Sequence, residues 1–201
     1  MKKLLVIVIL PAIILVLGYL IVESISKPVR FNREVKRREA VTIERLKDIR
    51  TLQVQFKSKY SRFTADLDSL IDFYREGTIT IVRQVGSWDD SLAVAQKRVF
   101  RDSISIFVRD TLLKRPGFVI DSLKWIPFSG GKAFLMEAII KPVSGVQVPL
   151  FEASAPYNDL LRGLDPQLII NLKAERIDMN RYPGLRVGSI EAPNNNAGNW
   201  E

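Results

Sequence analysis

Two hydrophobic patterns follow one another at the start of the chain. Leu4 to Val22, LLVIVILPAIILVLGYLIV, is an uncharged run close to the roughly 20 apolar residues that carry an α-helix across a bilayer. From Val41 the apolar positions narrow to one face. Ile43, Leu46, Ile49, Leu52, Phe56, Tyr60 and Phe63 recur in steps of three or four, with mostly charged and amide residues between them. Neither glycine nor proline interrupts Arg30 to Tyr60. The pattern predicts one long helix that leaves the bilayer and continues past residue 55, with Pro28 as the expected bend and Pro11 as a kink within the span. The stripe reads as core packing rather than a coiled-coil seam, being too short for sustained heptads.

Beyond it, Thr64 or Asp66 caps a short second helix with Leu67, Leu70, Ile71 and Tyr74 on its apolar side, ended by Gly77. ITIVRQV, bounded by Gly77 and Gly86, and ISIFV at 104–108 read as strands, with the more helical DDSLAVAQKRVF between them. KAFLMEAIIK at 132–141 is expected as a strand with Phe134, Met136, Ala138 and Ile140 on one face and Leu135, Glu137 and Ile139 on the other, both partly covered. PVSG at 142–145 is the turn of a hairpin that returns as VQVPLFEA, with Gly145 at positive φ and Pro149 marking an edge strand. Asp165 before Pro166 has the form of a cap and first helical residue, so GLDPQLIINLKAERI leans to helix, although LIINL would serve as a strand. GLRVGSIE at 184–191 is a last strand, and the asparagine-rich end after Pro193 reads as loose. The expected fold is α+β: a long N-terminal transmembrane helix continuing into an amphipathic helix packed on a small, mainly antiparallel sheet. The expected divisions are an anchor at 1–27, an amphipathic helix at 28–62, a soluble α+β domain at 63–193 and a flexible tail at 194–201.

At 201 residues and 47% hydrophobic, the chain has material for one sizeable core. It has no cysteine and no histidine, which excludes disulfides, thiolate chemistry and the commonest general base and metal ligand. Lys2 and Lys3 precede the apolar run, which is longer than a typical signal-peptide core, and the following ESISKPV offers no convincing small-x-small cleavage site, so an uncleaved signal-anchor is expected. Charge is local: residues 23–62 hold twelve Lys or Arg and five Asp or Glu, a net of +7, while 63–201 hold sixteen against seventeen, a net of −1. Basic residues beside a membrane attract anionic lipid, so the expected partners are the bilayer and anionic head groups near Lys27, Arg30, Arg33, Lys36, Arg37 and Arg38. Nucleic acid is not expected, because the 27–38 run interleaves a single aromatic, Phe31. The flank count alone puts the domain in the cytoplasm, whereas a short basic leader before an anchor favours export.

The hydrophobic helix running into an amphipathic one, followed by IRTLQVQFKSKYSRFTADLDSLIDF, resembles the first segment of type IV pilins and of the pseudopilins of type II secretion. That resemblance implies a long helix packed on a small antiparallel sheet. Leu4 to Val22 carries no glutamate, and the processing signature of those families is missing, so only the architecture carries over. The whole chain, with its ending NNNAGNWE, also looks like envelope proteins of the Bacteroidota, which implies a bacterial inner-membrane protein; the pilin-like layout implies an exported, periplasmic domain, with a cytoplasmic domain as the alternative.

No catalytic, cofactor-binding or metal-binding residue is assigned, and no cofactor is expected. Asp66, Asp68 and Asp72 suit a helix start better than a metal cluster. Asp89 and Asp90 read as caps, and Ser129, Gly130 and Gly131 lack the lysine and spacing of a phosphate loop and read as a turn. Asn194, Asn195 and Asn196 have no carboxylate cluster beside them to hold calcium. Trp88, Trp125 and Trp200 read as core or surface aromatics, with Trp200 a possible docking anchor. The expected function is that of a non-catalytic, membrane-anchored structural part of a multi-protein assembly. An anchored ligand-binding or sensory domain is the alternative, and a carboxylate hydrolase comes third.

Overall fold

The computed structural model describes residues 10–85 and 100–201. The long helix is one element: α1, Leu10–Tyr60, runs 51 residues, about 77 Å at 1.5 Å per residue. It passes through Pro28 without a break, because a missing N–H withdraws only the bond to the Ser24 carbonyl, which is exposed. Pro11 lies at the edge of the described residues.

Burial changes character along α1. Ile13 to Val29 carry large exposed apolar side chains, whereas Phe31, Val35, Leu46, Ile49, Leu52 and Phe56 are buried in the core. The docked face therefore starts at Phe31, some three turns before the stripe predicted from Ile43. Polar residues occupy the intervening inward positions: Thr42 is buried with its hydroxyl on the Arg38 carbonyl, and Glu39 accepts from the buried Tyr157 hydroxyl at 2.5 Å. The far end of the stripe also differs, since Tyr60 is about half exposed. α1 stops where Ser61 turns left-handed (φ 58°), its N–H still bonded to the Lys57 carbonyl.

The chain then reverses under the grip of Gln53. This fully buried amide donates to the Thr64 carbonyl (2.6 Å) and accepts from the Thr64 N–H (3.1 Å), fixing the turn against the helix it has just left. α2, Leu67–Glu76, follows with Asp66 as its cap, accepting from the N–H groups of Asp68 and Ser69. Phe73 of α2 stands edge-on to Phe56 at 5.3 Å. α2 ends at Gly77, whose backbone turns extended with its N–H on the Phe73 carbonyl, a position where a Cβ would collide with that carbonyl.

Two antiparallel sheets complete the fold. β1, Thr78–Val85, and β2, Phe100–Phe107, form a two-stranded ribbon, and β3, Leu135–Val143, β4, Val146–Pro156, and β5, Gly184–Gly188, form a three-stranded sheet in the order β3-β4-β5. The helical expectation for DDSLAVAQKRVF lies outside the described residues except for Phe100, which opens β2. Val108, expected to close that strand, is instead buried in a 3-10 turn. Phe151, Ala153 and Ala155 of β4 and Leu185 and Val187 of β5 face the core with α1. The alanines leave room for the helix backbone to approach.

Four expectations about the sheet need correction. The β3–β4 turn is only Ser144–Gly145, at φ 51° and 83°, so Pro142 and Val143 remain in β3. The second face of β3 is not covered: Leu135, Ile139 and also Ile140 are exposed, while Met136 and Ala138 are half-buried. β4 is the central strand, and Pro149 is tolerated there because β5 pairs only with Glu152–Pro156. The end of the chain, expected to be loose, is tied to β5. Gly188 N–H donates to the Ala197 carbonyl (3.0 Å), Asn199 N–H to the Arg186 carbonyl (3.0 Å), and Arg50 pairs with Glu201 at 2.6 Å. Asn195 and Asn196 take left-handed φ of 55° and 58°, which asparagine accepts more readily than most residues.

Between these strands, α3, Tyr157–Leu160, is a single turn, and α4, Pro166–Asp178, has Asp165 Oδ1 on the N–H groups of Gln167 and Leu168. The helical reading of LIINL therefore holds.

Leu52→Ala is expected to destabilise the folded domain by about 2–5 kcal/mol, and Val54→Ala, on the exposed side of the same turn, by under about 1 kcal/mol. Urea unfolding of the full chain in micelles, followed by tryptophan fluorescence, measures both.

Candidate membrane-proximal interface

The basic run divides by what each side chain touches. Lys27 pairs with Glu23 at 3.0 Å. Glu34 accepts from Arg37 (2.7 and 2.8 Å) and from Arg38 (2.8 Å), and these two guanidinium groups hold its carboxyl down to about 2. Arg38 also donates to the carbonyls of Leu160 (3.1 Å) and Arg162 (2.9 Å), closing the C-terminal end of α3. Both arginines lie over the Phe128 ring, at 4.9 and 5.0 Å. Arg30, Arg33 and Lys36 have no ion pair among the described residues, and Arg30 makes one long bond to the Ser26 carbonyl (3.4 Å). Measured along α1 from Val22, Lys27, Arg30, Arg33 and Lys36 stand about 7, 12, 16 and 21 Å further on.

A groove of about 410 Å³ opens at the lower part of this run. Lys27, Arg30, Phe31 and Glu34 of α1 form one wall, and Gly163, Leu164, Asp165 and Leu168 form the other. Gly163, at φ 84°, makes the turn that brings Leu164 and Asp165 to the helix.

Higher on α1, an ion-pair latch holds the loop before the Ile120–Lys124 turn. Asp48, only 3% exposed, accepts from both terminal nitrogens of Arg115 (2.8 and 2.5 Å), and Glu44 lies 3.3 Å from Arg115 Nε. Arg45 beside them donates to the carbonyls of Ser122 (2.9 Å) and Trp125 (2.5 Å). These residues line a cleft of about 290 Å³. Burial pushes the Asp48 carboxyl up, and the Arg115 guanidinium pulls it partly back. Both acids in this cleft pair with one arginine, Arg115, and Arg45 beside them supplies the second positive charge.

A third groove, about 510 Å³, lies at the far end of α1. Its aromatic walls are Phe56, Tyr60 and Phe73, mixed with Lys59, Arg62, Asp72 and Glu76.

The other residues singled out in the sequence are dispersed. Asp66 caps α2, Asp68 pairs with Lys124 at 2.6 Å, and Asp72 is exposed. No group of three or more potential ligating side chains gathers among the described residues. Ser129 is buried in a turn, bonded to the Ile126 carbonyl and the Lys132 N–H, with Gly130 and Gly131 at positive φ beside it. Trp125 is exposed, whereas Trp200 packs partly against the core with its indole N–H buried and unpartnered. Asp89, Asp90 and Trp88 lie outside the described residues.

Arg115→Ala leaves the Asp48 carboxylate buried alone and is expected to cost about 2–4 kcal/mol at pH 7, below the full buried-pair value because Arg115 is 37% exposed. A carboxyl raised by burial favours the folded state when protonated. The contribution of Asp48 to the variant's stability should therefore be greatest below the ordinary aspartate value of 3.8 and be lost as pH rises through the higher folded value. Adding Asp48→Asn should remove that pH slope, as urea midpoints from pH 3 to 8 will register. No protein-family model matches the sequence, and searches of curated proteins and of solved structures likewise return no match.

Proposed function

We propose that this protein is a non-catalytic, single-pass membrane protein of a bacterial envelope, anchored by the first part of α1, and that its domain is one structural part of a multi-protein assembly. The observation that carries the reading is the change of surroundings along one helix. The apolar segment is long enough to cross a membrane and is wholly uncovered by the domain, and the same helix becomes the domain's core from Phe31 onward. Leaving so many apolar side chains in water is costly at roughly 25 cal/mol per Å². A bilayer is the environment that relieves it. The apolar leader with Lys2 and Lys3 before it favours the inner membrane with the domain exported to the periplasm.

The β1–β2 ribbon supports the assembly role. Ile79 faces Ile106 and Ile81 faces Ile104 across the pair, placing four isoleucines on one face, and Ile81 and Ile104 are exposed. An isolated two-stranded ribbon is marginal in water, and contiguous exposed apolar surface marks contact with another protein.

The absence of cysteine makes the topology testable with single introduced thiols. Glu175→Cys, at an exposed position, is expected to react with an impermeant maleimide added to spheroplasts, and the protein to stay in the membrane pellet through carbonate washing. A soluble, processed chain overturns the anchor, and labelling only after lysis overturns export. Gently extracted membranes are expected to show the protein in a species larger than the monomer that Ile81→Asp with Ile104→Asp reduces to the monomer. A monomer from the outset overturns the assembly role.

A further inference from the structure

The groove between α1 and the turn into α4 contains charge that the chain itself leaves unused. Of its two acids, Glu34 is held by Arg37 and Arg38, and Asp165 Oδ1 accepts from the Gln167 and Leu168 N–H groups. Of its two bases, Lys27 holds Glu23, but Arg30 has no carboxylate partner among the described residues and only the 3.4 Å bond to the Ser26 carbonyl. The floor is apolar: Phe31 is buried, and Leu164 and Leu168 are half-buried.

Height decides what reaches this groove. Lys27 and Arg30 stand about 7 and 12 Å beyond Val22, and the polar head-group layer adds roughly 5–7 Å outside the hydrocarbon. Lys27 is therefore level with the outer edge of the head groups, and Arg30, about 5 Å further out, reaches back to it with its long side chain. Lys36, at about 21 Å from Val22 and so about 14–16 Å beyond the head groups, is further away than one Debye length of ~8–10 Å and out of side-chain reach.

We propose that this groove seats the head group of one anionic phospholipid drawn from the bilayer that α1 crosses, an inference that rests on the anchored reading above. The phosphate pairs with Arg30 and Lys27 beside the apolar floor of Phe31, Leu164 and Leu168, and the acyl chains run back along α1 toward the bilayer. Charge sets the class of lipid. Glu34 is shared by two arginines and Arg30 has no carboxylate partner among the described residues, so a net anion meets an unsatisfied cation, whereas a zwitterionic head adds an ammonium group beside Arg30 and Lys27. The volume of about 410 Å³ falls within the roughly 300–1,000 Å³ of small-ligand sites.

The test uses the full chain in mild detergent with phosphatidylglycerol and phosphatidylethanolamine of the same acyl chains, read by native mass spectrometry. The expected result is one retained phosphatidylglycerol in preference to phosphatidylethanolamine. That preference should fall about fivefold in Arg30→Gln, as expected for removing one basic residue near a membrane surface, and stay unchanged in Lys36→Gln. Equal retention of the two lipids by the unaltered chain overturns the proposal. So does a loss in Lys36→Gln as large as in Arg30→Gln, which marks diffuse attraction without a seat. Carbonate washing of the source membranes separates the two levels: a chain in the pellet without lipid preference overturns the groove alone, and a chain in the supernatant overturns the groove and the anchor together.

Discussion

Every part of this structure is referred to one uninterrupted α-helix. A helix satisfies its own backbone hydrogen bonds, so it is the one common element that can lie in hydrocarbon, in head groups and in a protein core without changing form. α1 keeps that form over 51 residues and changes only which side chains it presents. Its apolar first part is uncovered on all sides, and from Phe31 a single face is buried. Because the helix is a stiff rod rising about 1.5 Å per residue, the position of a residue in the sequence sets its distance from the apolar segment. The domain inherits that scale, and its lower edge at Leu164 and Leu168 meets α1 at the level of Lys27 to Glu34. The folded part therefore begins directly after the apolar segment, with no stalk between.

Long polar side chains of α1 hold the loops in place. Gln53 grips both backbone groups of Thr64, Arg38 closes the end of α3, Arg45 takes the carbonyls of Ser122 and Trp125, and Asp48 secures Arg115. Each reaches from the rigid helix to a segment with few regular hydrogen bonds of its own. Without cysteine, and without a metal cluster among the described residues, these pins do what covalent staples do in other small folds. Buried backbone carbonyls at loop and helix ends need donors, and arginine supplies several in a fixed fork.

The legible parts of the sequence were those governed by local rules. The stripe from Leu46 to Phe56, the Asp66 and Asp165 caps, and the positive φ of Gly145 follow from period, capping and turn chemistry that a few adjacent residues reveal. Tertiary uses of polar residues were not legible. Arg37 and Arg38 look like members of a membrane-facing basic run, yet Arg38 points into the domain; nothing nearby in sequence says that two carbonyls lie 122 and 124 residues away. The asparagine tail failed in a more instructive way. Composition suggested disorder, but asparagine is also a residue that tolerates left-handed backbone, and Asn195 and Asn196 use that tolerance to bring Gly198 beside Val187. Pro149 likewise marks a local edge within a central strand, since the short β5 leaves half of β4 unpaired on one side.

The same distinction changes how the basic charge is understood. As a sum, the +7 of residues 23–62 suggests a broad electrostatic attachment to anionic surfaces. In the structure, Lys27, Arg37, Arg38 and Arg50 each hold a carboxylate, and Arg45 holds two carbonyls. A guanidinium committed to a neighbouring carboxylate projects little field beyond a Debye length of ~8–10 Å. Arg30, Arg33, Lys36, Lys47, Lys57, Lys59 and Arg62 have no carboxylate partner among the described residues. The first three form a short ladder along α1 at about 4–5 Å per step. Part of the charge of this segment therefore fastens the domain to its own helix, and part is left without a partner, with Arg30 beside the apolar groove.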